Sequence, residues 1–285
     1  MDIQKDVPLK NYCTFAIGGE AEFFVTWKEH DEIEEILEYA MENNLKPFVF
    51  GGGTNLLFPD EGLNRLVIRA QTSDISQEGE LLSVDAGCSW VKLHMYLKQA
   101  NLYGLEAFSG LPGTIGGAAF GNAGAHGTEM KDVIAKLRVI DITTLEFQDI
   151  PVEDIEFGYR NSSLKNQDLV ITKVWFKVSE NPNDNTGDPD EFAEFRKTNQ
   201  PQGLTTGSFF KNPTDNFAGK LIDEAGLKGH QMGGVMLSPK HANFFINTGD
   251  GTAKDVIALK DHVIEVVKSH SGIELKPEVQ IIENI

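Results

Sequence analysis

Gly110-Leu-Pro-Gly-Thr-Ile-Gly-Gly-Ala-Ala-Phe-Gly-Asn-Ala-Gly-Ala-His-Gly127 is the stretch on which the reading of this chain turns. Seven of these eighteen residues are glycine, against a background near ~7%. Glycine loses more backbone freedom on folding than any other residue, so a stable fold tolerates this density mainly where backbone must wrap a ligand. A flexible linker would be polar throughout. Here Leu111, Ile115, Ala118, Ala119 and Phe120 are apolar and Pro112 is rigid. The composition points to a loop that binds phosphate and ring groups.

Two shorter segments extend the pattern. Gly51-Gly-Gly-Thr-Asn55 directly follows the apolar run Pro47–Phe50. Its glycines permit close approach and positive φ, and successive N–H groups can form an anion nest, with Thr54 and Asn55 adding side-chain donors. Taken alone, a triple glycine reads first as a plain tight turn. It lacks the Lys-Ser/Thr of a Walker loop and the spacing of a Rossmann turn, which disfavours both nucleotide folds. The other segment, Gly207-Ser-Phe-Phe-Lys-Asn-Pro213, sets Ser208 in an aromatic turn with Lys211 and Asn212 following. Ser-x-x-Lys also occurs in acyl-transfer enzymes, but no G-x-S-x-G elbow is present and no histidine offers itself as a base for Ser208. Arg160, in Phe157–Leu164, and Glu278, in Leu275–Val279, read from composition alone as solvated surface charges.

Composition narrows the classes of function. The chain has 285 residues, 40% hydrophobic and 24% charged, which suggests two domains or one with an appended lobe. Its length allows a core that needs no disulfide or metal staple. Cys13 and Cys88 stand far apart, which fits a reducing cytosol. MDIQKDVPLK has no apolar signal region, and no run approaches the ~18 apolar residues of a membrane span. A cytoplasmic protein is expected. The net charge of −18 repels nucleic acid and anionic lipid. A phosphorylated ligand must therefore be held by local N–H groups and a few placed cations. Histidines 94, 126, 230 and 241 are too scattered for a metal site, and no metal is expected.

Along the chain, Asp31 and Glu34 suggest a capping box that opens a helix with Ile33, Ile36, Leu37 and Ala40 on one face. Pro47–Phe50, Leu66–Arg69 and Leu81–Val84 read as strands. A helix is expected from Ser89 to about Asn101, then strands at 134–142, 145–148 and 169–178. Residues 180–191 are acidic and turn-rich, the best linker in the chain. Helices follow near 192–197 and at 217–225, the latter stopped by Gly226. Segments 233–236 and 243–246 look like paired strands, and a Thr252-x-x-Asp255 capping box opens a last helix. The order reads as α+β, with a domain at 1–180 and a C-terminal α+β domain at 190–285.

The three glycine and serine segments, with Tyr12–Gly19, FGYRNSSLK, FAGKLIDEAGLKGHQMGG, SPKHANFFIN and GIELKPEV, resemble in this order the UDP-N-acetylenolpyruvoylglucosamine reductase family, flavoproteins of peptidoglycan precursor synthesis. The resemblance covers nearly the whole chain and points to the compact subtype. It implies an FAD-binding domain of the vanillyl-alcohol-oxidase (PCMH) type, in subdomains of about 1–70 and 71–180, and a substrate-binding C-terminal domain. It implies FAD contacts at Gly51, Gly52, Gly53, Thr54 and Asn55, and at Gly113, Thr114, Gly116, Gly117, Asn122, Ala123 and Gly124. Arg160, Ser208 and Glu278 match the family's active-site residues, which overturns the surface-charge reading of two of them. By this resemblance NADPH reduces FAD, flavin N5 gives hydride to the enolpyruvyl group of a UDP-sugar, and Ser208 gives the proton. Asn212, with Lys211 and Tyr159, is implied in substrate binding, and no protein partner is inferred.

Two departures stand out. Asn199 occupies a position where the family often has Lys, with Arg196 and Lys197 close by, and His126 stands where Tyr is frequent. Two rival readings remain. An alcohol or sugar oxidase on the same scaffold would need a base rather than a serine acid, and a flavin or UDP-sugar binder without turnover has no use for Arg160, Ser208 and Glu278 together.

Overall fold

The structure, a computed structural model, describes residues 1–182 and 187–284. Its helices and sheets are those of an α+β protein. Two compact units are drawn from interleaved parts of the chain: Met1–Gln4, Phe24–Gly52 and Arg65–Arg196 in the first, and Lys5–Phe23, Gly53–Asn64 and Lys197–Ile285 in the second. This grouping does not coincide with a single cut between 180 and 190.

The first unit is built on a five-stranded antiparallel sheet in the order Phe147–Pro151, Ile134–Asp141, Leu169–Lys177, Leu81–Asp85, Ile75–Glu78. Leu137, Val139, Val174, Phe176, Leu82 and Val84 are fully buried in its core. The helix Trp90–Ala100 opens on Ser89, whose hydroxyl accepts from the Lys92 N–H, and closes on Asn101 in the left-handed region. Both ends match the expectation from sequence, because cap chemistry is local. Pro47–Phe50 runs parallel to residues 66–69.

Trp90 stacks on Phe108 at 4.9 Å and on His94 at 5.7 Å. Burial holds the His94 pKa below its ordinary value of 6.5, against an opposing hydrogen bond to the Phe108 backbone. His30 and His241 shift the same way, with burial again the largest cause. Such histidines resist protons only when folded, so the stability they give is complete above the unfolded pKa. It is lost as pH falls below about 6.5 and through the folded values. The thermal midpoint is expected to drop between pH 7 and 5. His94→Phe, which keeps the stack, should make that decline shallower in a pH series of melting curves.

In the second unit Gln231–Met232, Val235–Leu237 and Phe245–Asn247 form a three-stranded antiparallel sheet. The helix Ala253–Ser271 begins with the expected Thr252/Asp255 capping box and ends on Gly272 at φ 74°. The Asp60 carboxylate adds a second cap, accepting from the Ala253 N–H at 2.7 Å and Lys254 N–H at 3.1 Å. Gln280–Ile281 pairs in parallel with Leu56–Leu57.

Three local expectations are corrected. Asp31 has helical backbone angles and makes no cap bond. Glu32, the first helical residue, instead ties down the turn before the helix, one oxygen accepting from the N–H groups of Lys28 and Glu29, each at 2.9 Å. The expected linker lies in part, residues 183–186, outside the described residues. Its end is helical, since the next helix is Pro189–Asn199 rather than 192–197, and a proline at the first helical position surrenders an N–H that has no intrahelical partner anyway. Finally, the glycine-rich stretch holds a helix, Ile115–Gly121. Thr114 caps it, and burial of Ile115, Ala118 and Ala119 outweighs the low propensity of its glycines. Among the described residues no helix is long and apolar enough to cross a membrane, and no group of three or more His, Cys, Asp or Glu could hold a metal ion.

Candidate active site

In the first unit the structure brings the two glycine runs together. A Cβ on Gly51 would lie 2.0 Å from the Thr114 Oγ1, so the turn after Pro47–Phe50 meets the start of the helix Ile115–Gly121 at a distance only glycine allows. Gly116 is equally committed, because its Cβ would fall 2.6 Å from that of Ala86. The Ile115 and Gly116 N–H groups donate to the carbonyls of Cys88 (2.9 Å) and Ala86 (2.8 Å), and Gly117 donates to Thr114 Oγ1 at 3.4 Å. These glycines therefore offer close approach more than free donors. Gly51 and Gly52 are half-buried. Gly51, Thr114 and Gly116 thus stand in contact range of one another's segments, a close backbone packing that glycine makes possible.

Asn122 ends that helix in the left-handed region (φ 46°) and is wholly buried. Its amide nitrogen donates to the Gly158 carbonyl at 2.9 Å and to Glu129 at 3.1 Å, and its oxygen accepts from the Lys131 N–H at 3.2 Å. The side chain is thus committed within the protein. Its reach to Gly158 anchors a two-stranded hairpin, Phe157–Gly158 with Asn161–Ser162, whose tip is Tyr159-Arg160. Ser162 adds a 2.7 Å bond to the Phe120 carbonyl.

Arg160 sits at that tip with φ 54°, a strained conformation for an arginine. Its guanidinium donates to the Gly124 carbonyl at 2.9 Å and lies 5.0 Å from the ring centre of Tyr159, which is 46% exposed. A Cβ on Gly124 would come within 2.7 Å of Arg160 Nη1. That glycine leaves room for the arginine's seat, a reason no reading of the glycine run alone could supply. Ala123 is half-buried beside it.

In the second unit Ser208 and Glu278 are brought together. The Glu278 N–H donates to the Phe209 carbonyl at 2.8 Å, and Phe210 bridges Pro277. Both Ser208 and Glu278 are half-buried. The Asn55 side chain donates to the Glu278 carbonyl at 3.2 Å, and Gln280 donates back to the Asn55 carbonyl at 3.0 Å. Gly53, at φ 62°, accepts from Thr14, and its Cβ would strike the Tyr12 carbonyl at 2.3 Å. The half-buried Thr54 lies between them. Lys211 donates its N–H to the Lys276 carbonyl at 2.9 Å, and Asn212 accepts from the Ala218 N–H at 3.0 Å, capping the helix Ala218–Glu224.

Sequence reasoning missed Asn243. Almost wholly buried, it brackets the serine segment: its side chain accepts from the Phe210 N–H (2.9 Å) and donates to the Phe210 carbonyl (2.8 Å), while its own carbonyl takes the Phe209 N–H at 2.7 Å. Phe209 stacks on Phe245 at 4.0 Å, and Phe210 meets both edge-on. A lone amide inside the apolar run Ala242–Ile246 was the available signal.

Comparison with known proteins shows the family. A family model described as FAD binding domain matches residues 21–144, and one described as UDP-N-acetylenolpyruvoylglucosamine reductase, C-terminal domain, matches 200–282. UDP-N-acetylenolpyruvoylglucosamine reductases of Streptococcus pyogenes serotypes M5 (strain Manfredo) and M4 (strain MGAS10750) are each 38% identical over 289 residues, spanning 100% of this chain and 98% of theirs. The chain belongs to the UDP-N-acetylenolpyruvoylglucosamine reductase family. The crystal structure of UDP-N-acetylenolpyruvylglucosamine reductase from Thermus caldophilus is similar with a TM-score of 0.82 and 31% identity, covering 99% of this chain and 100% of that one. As a reductase-family member with an FAD binding domain, the chain is an FAD-dependent oxidoreductase.

Proposed function

We propose that this chain reduces UDP-N-acetylenolpyruvoylglucosamine to UDP-N-acetylmuramate with electrons from NADPH, in the cytoplasmic synthesis of peptidoglycan precursors. The observation that carries the reading is the seating of Ser208 and Glu278, distant in sequence, on directly hydrogen-bonded segments. FAD, when bound, supplies hydride chemistry. The part of the chain with the glycine runs, residues 1–180, serves to hold it through residues 51–55 and 113–124, and residues 190–285 take the substrate.

Each residue type suits its task. Arg160 presents a guanidinium to the substrate carboxylate, where negative charge grows as the double bond is reduced, and a fork of donors is worth most there. Ser208 Oγ–H gives a proton to the carbon bearing the ether oxygen. Glu278 holds the reacting group in register with Ser208. Tyr159, Lys211 and Asn212 take the UDP-sugar's remaining polar groups. Asn212 keeps its amide nitrogen for this, since only its oxygen caps the helix Ala218–Glu224.

The deciding experiment is anaerobic. The yellow protein is reduced with NADPH, and UDP-N-acetylenolpyruvoylglucosamine is then added. Flavin absorbance is expected to return in a single turnover. Reduction by NADPH with no return of colour would refute the substrate, and a flavin that stays on acid-precipitated protein would favour the rival oxidase reading.

A further inference from the structure

The helix Pro189–Asn199 carries Arg196 against the glycine-rich stretch. Gly110, at φ 72°, leaves room for it, for a Cβ there would sit 3.2 Å from both Arg196 Cδ and the Ala193 Cα. At the stretch's far end His126 stacks on Phe192 at 4.0 Å and meets Phe195 edge-on at 5.8 Å. The helix is therefore fastened at both ends of the loop from which Gly124 grips Arg160.

Arg196 is in an unusual position for a guanidinium. Its Nε is buried with no hydrogen-bond partner, and among the described residues no carboxylate pairs with it. Burial first, and the charge of Arg160 second, hold its pKa below the ordinary arginine value. Glu129 feels the Arg160 charge as well, but it is already bonded to Lys131 at 2.8 Å and Asn122 at 3.1 Å. Holding a half-buried guanidinium with its Nε unpaired, in the field of another cation, costs free energy that a bound anion offsets.

We propose that Arg196 is the second cation of a two-arginine anion site shared with Arg160, and that its ligand is the substrate's carboxylate. This rests on the function proposed above, which gives Arg160 the carboxylate. The field of Arg196 acts on the same anion because it acts on Arg160 itself. Charge on that carboxylate increases as the adjacent double bond is reduced, so the second cation contributes more to the reaction than to binding. The remaining anionic part of the substrate, the diphosphate, is thereby assigned elsewhere.

The test compares holoenzymes carrying Arg196→Met, which keeps the stem's length and apolar contact with Gly110, and Arg196→Lys, which restores charge. Arg196→Met is expected to lower kcat about 10–100-fold with a smaller change in KM, and Arg196→Lys to recover most of it. Flavin content should not change, and the thermal midpoint of Arg196→Met should not fall, since the variant removes an unpaired charge. Calorimetric affinity of the oxidised enzyme for UDP-N-acetylglucosamine, which keeps the diphosphate and lacks the carboxylate, should also stay as in wild type. A tenfold loss of that affinity in Arg196→Met would make Arg196 a diphosphate ligand and overturn the proposal, as would an unchanged kcat or a lysine variant no better than methionine. A wild type that fails to turn over sinks the function and this site together, whereas an active wild type beside an unaffected Arg196→Met sinks this site alone.

Discussion

Ser208→Ala is expected to keep its flavin, accept electrons from NADPH at an undiminished rate, and then stall. The glycine runs proposed to hold the cofactor lie outside the serine segment, so binding and reduction have no reason to change. What disappears is the Oγ–H proposed to complete reduction of the substrate. A positioned proton donor is worth ~10²–10⁴-fold, and more where water cannot take its place. The backbone around Ser208 is set by Asn243 and by the Phe209–Phe245 stack, so removing one hydroxyl leaves the segment in place. Ser208→Cys should fall between wild type and alanine, because a thiol still donates. Stopped-flow absorbance on pre-reduced enzyme separates the two half-reactions. Reoxidation of Ser208→Ala at the wild-type rate would remove the serine from the chemistry, and loss of flavin would make the segment structural.

Asn122→Ala is expected to cost about 4 kcal/mol of stability, a large share of what a domain possesses. Three hydrogen bonds end on this wholly buried amide. Its removal strands the half-buried Gly158 carbonyl, at ~1–3 kcal/mol for an unsatisfied group, and leaves the N–H of the exposed Lys131 to solvent. The left-handed backbone at φ 46° suits asparagine better than alanine and adds to the cost. A melting curve should move down by about 10 °C. Because the amide anchors the hairpin that carries Arg160, the surviving folded protein should also lose turnover disproportionately. A variant that melts like wild type would show that the network is dispensable.

What could be read from the sequence was whatever depends on neighbours in the chain. Ser89 and Thr252 announced their helices because a cap needs only the next three residues. Asp31 misled for the same reason: the pattern was right, but the backbone had already turned helical, and Glu32 bonds to the turn before the helix instead. The helix Ile115–Gly121 stayed hidden because its glycines argue against it locally, while the burial that forms it comes from elsewhere. The interleaving of the units was equally out of reach, since it rests on pairings such as Asp60 with Ala253 and Asn247 with Phe15. Arg160 and Glu278 carried no chemical signature of their own, and only likeness to a family singled them out. The structure adds what likeness does not show: Gly124 leaves room for Arg160 and accepts its hydrogen bond, and Asn122 braces the hairpin that carries it.

The composition of the second unit has a bearing on how the chain is made. Residues 5–23 and 53–64 leave the ribosome early, yet their partners lie in 197–285. The Phe15 carbonyl waits for Asn247, and Leu57 waits for a core completed by Val263 and Val279. These apolar segments spend most of synthesis unpartnered, in an order of assembly dominated by late, long-range closure. Slow translation or heat shock would prolong that exposure. Nascent chains of this protein should therefore lean on chaperones far more through their first sixty residues than through the self-contained sheet that follows.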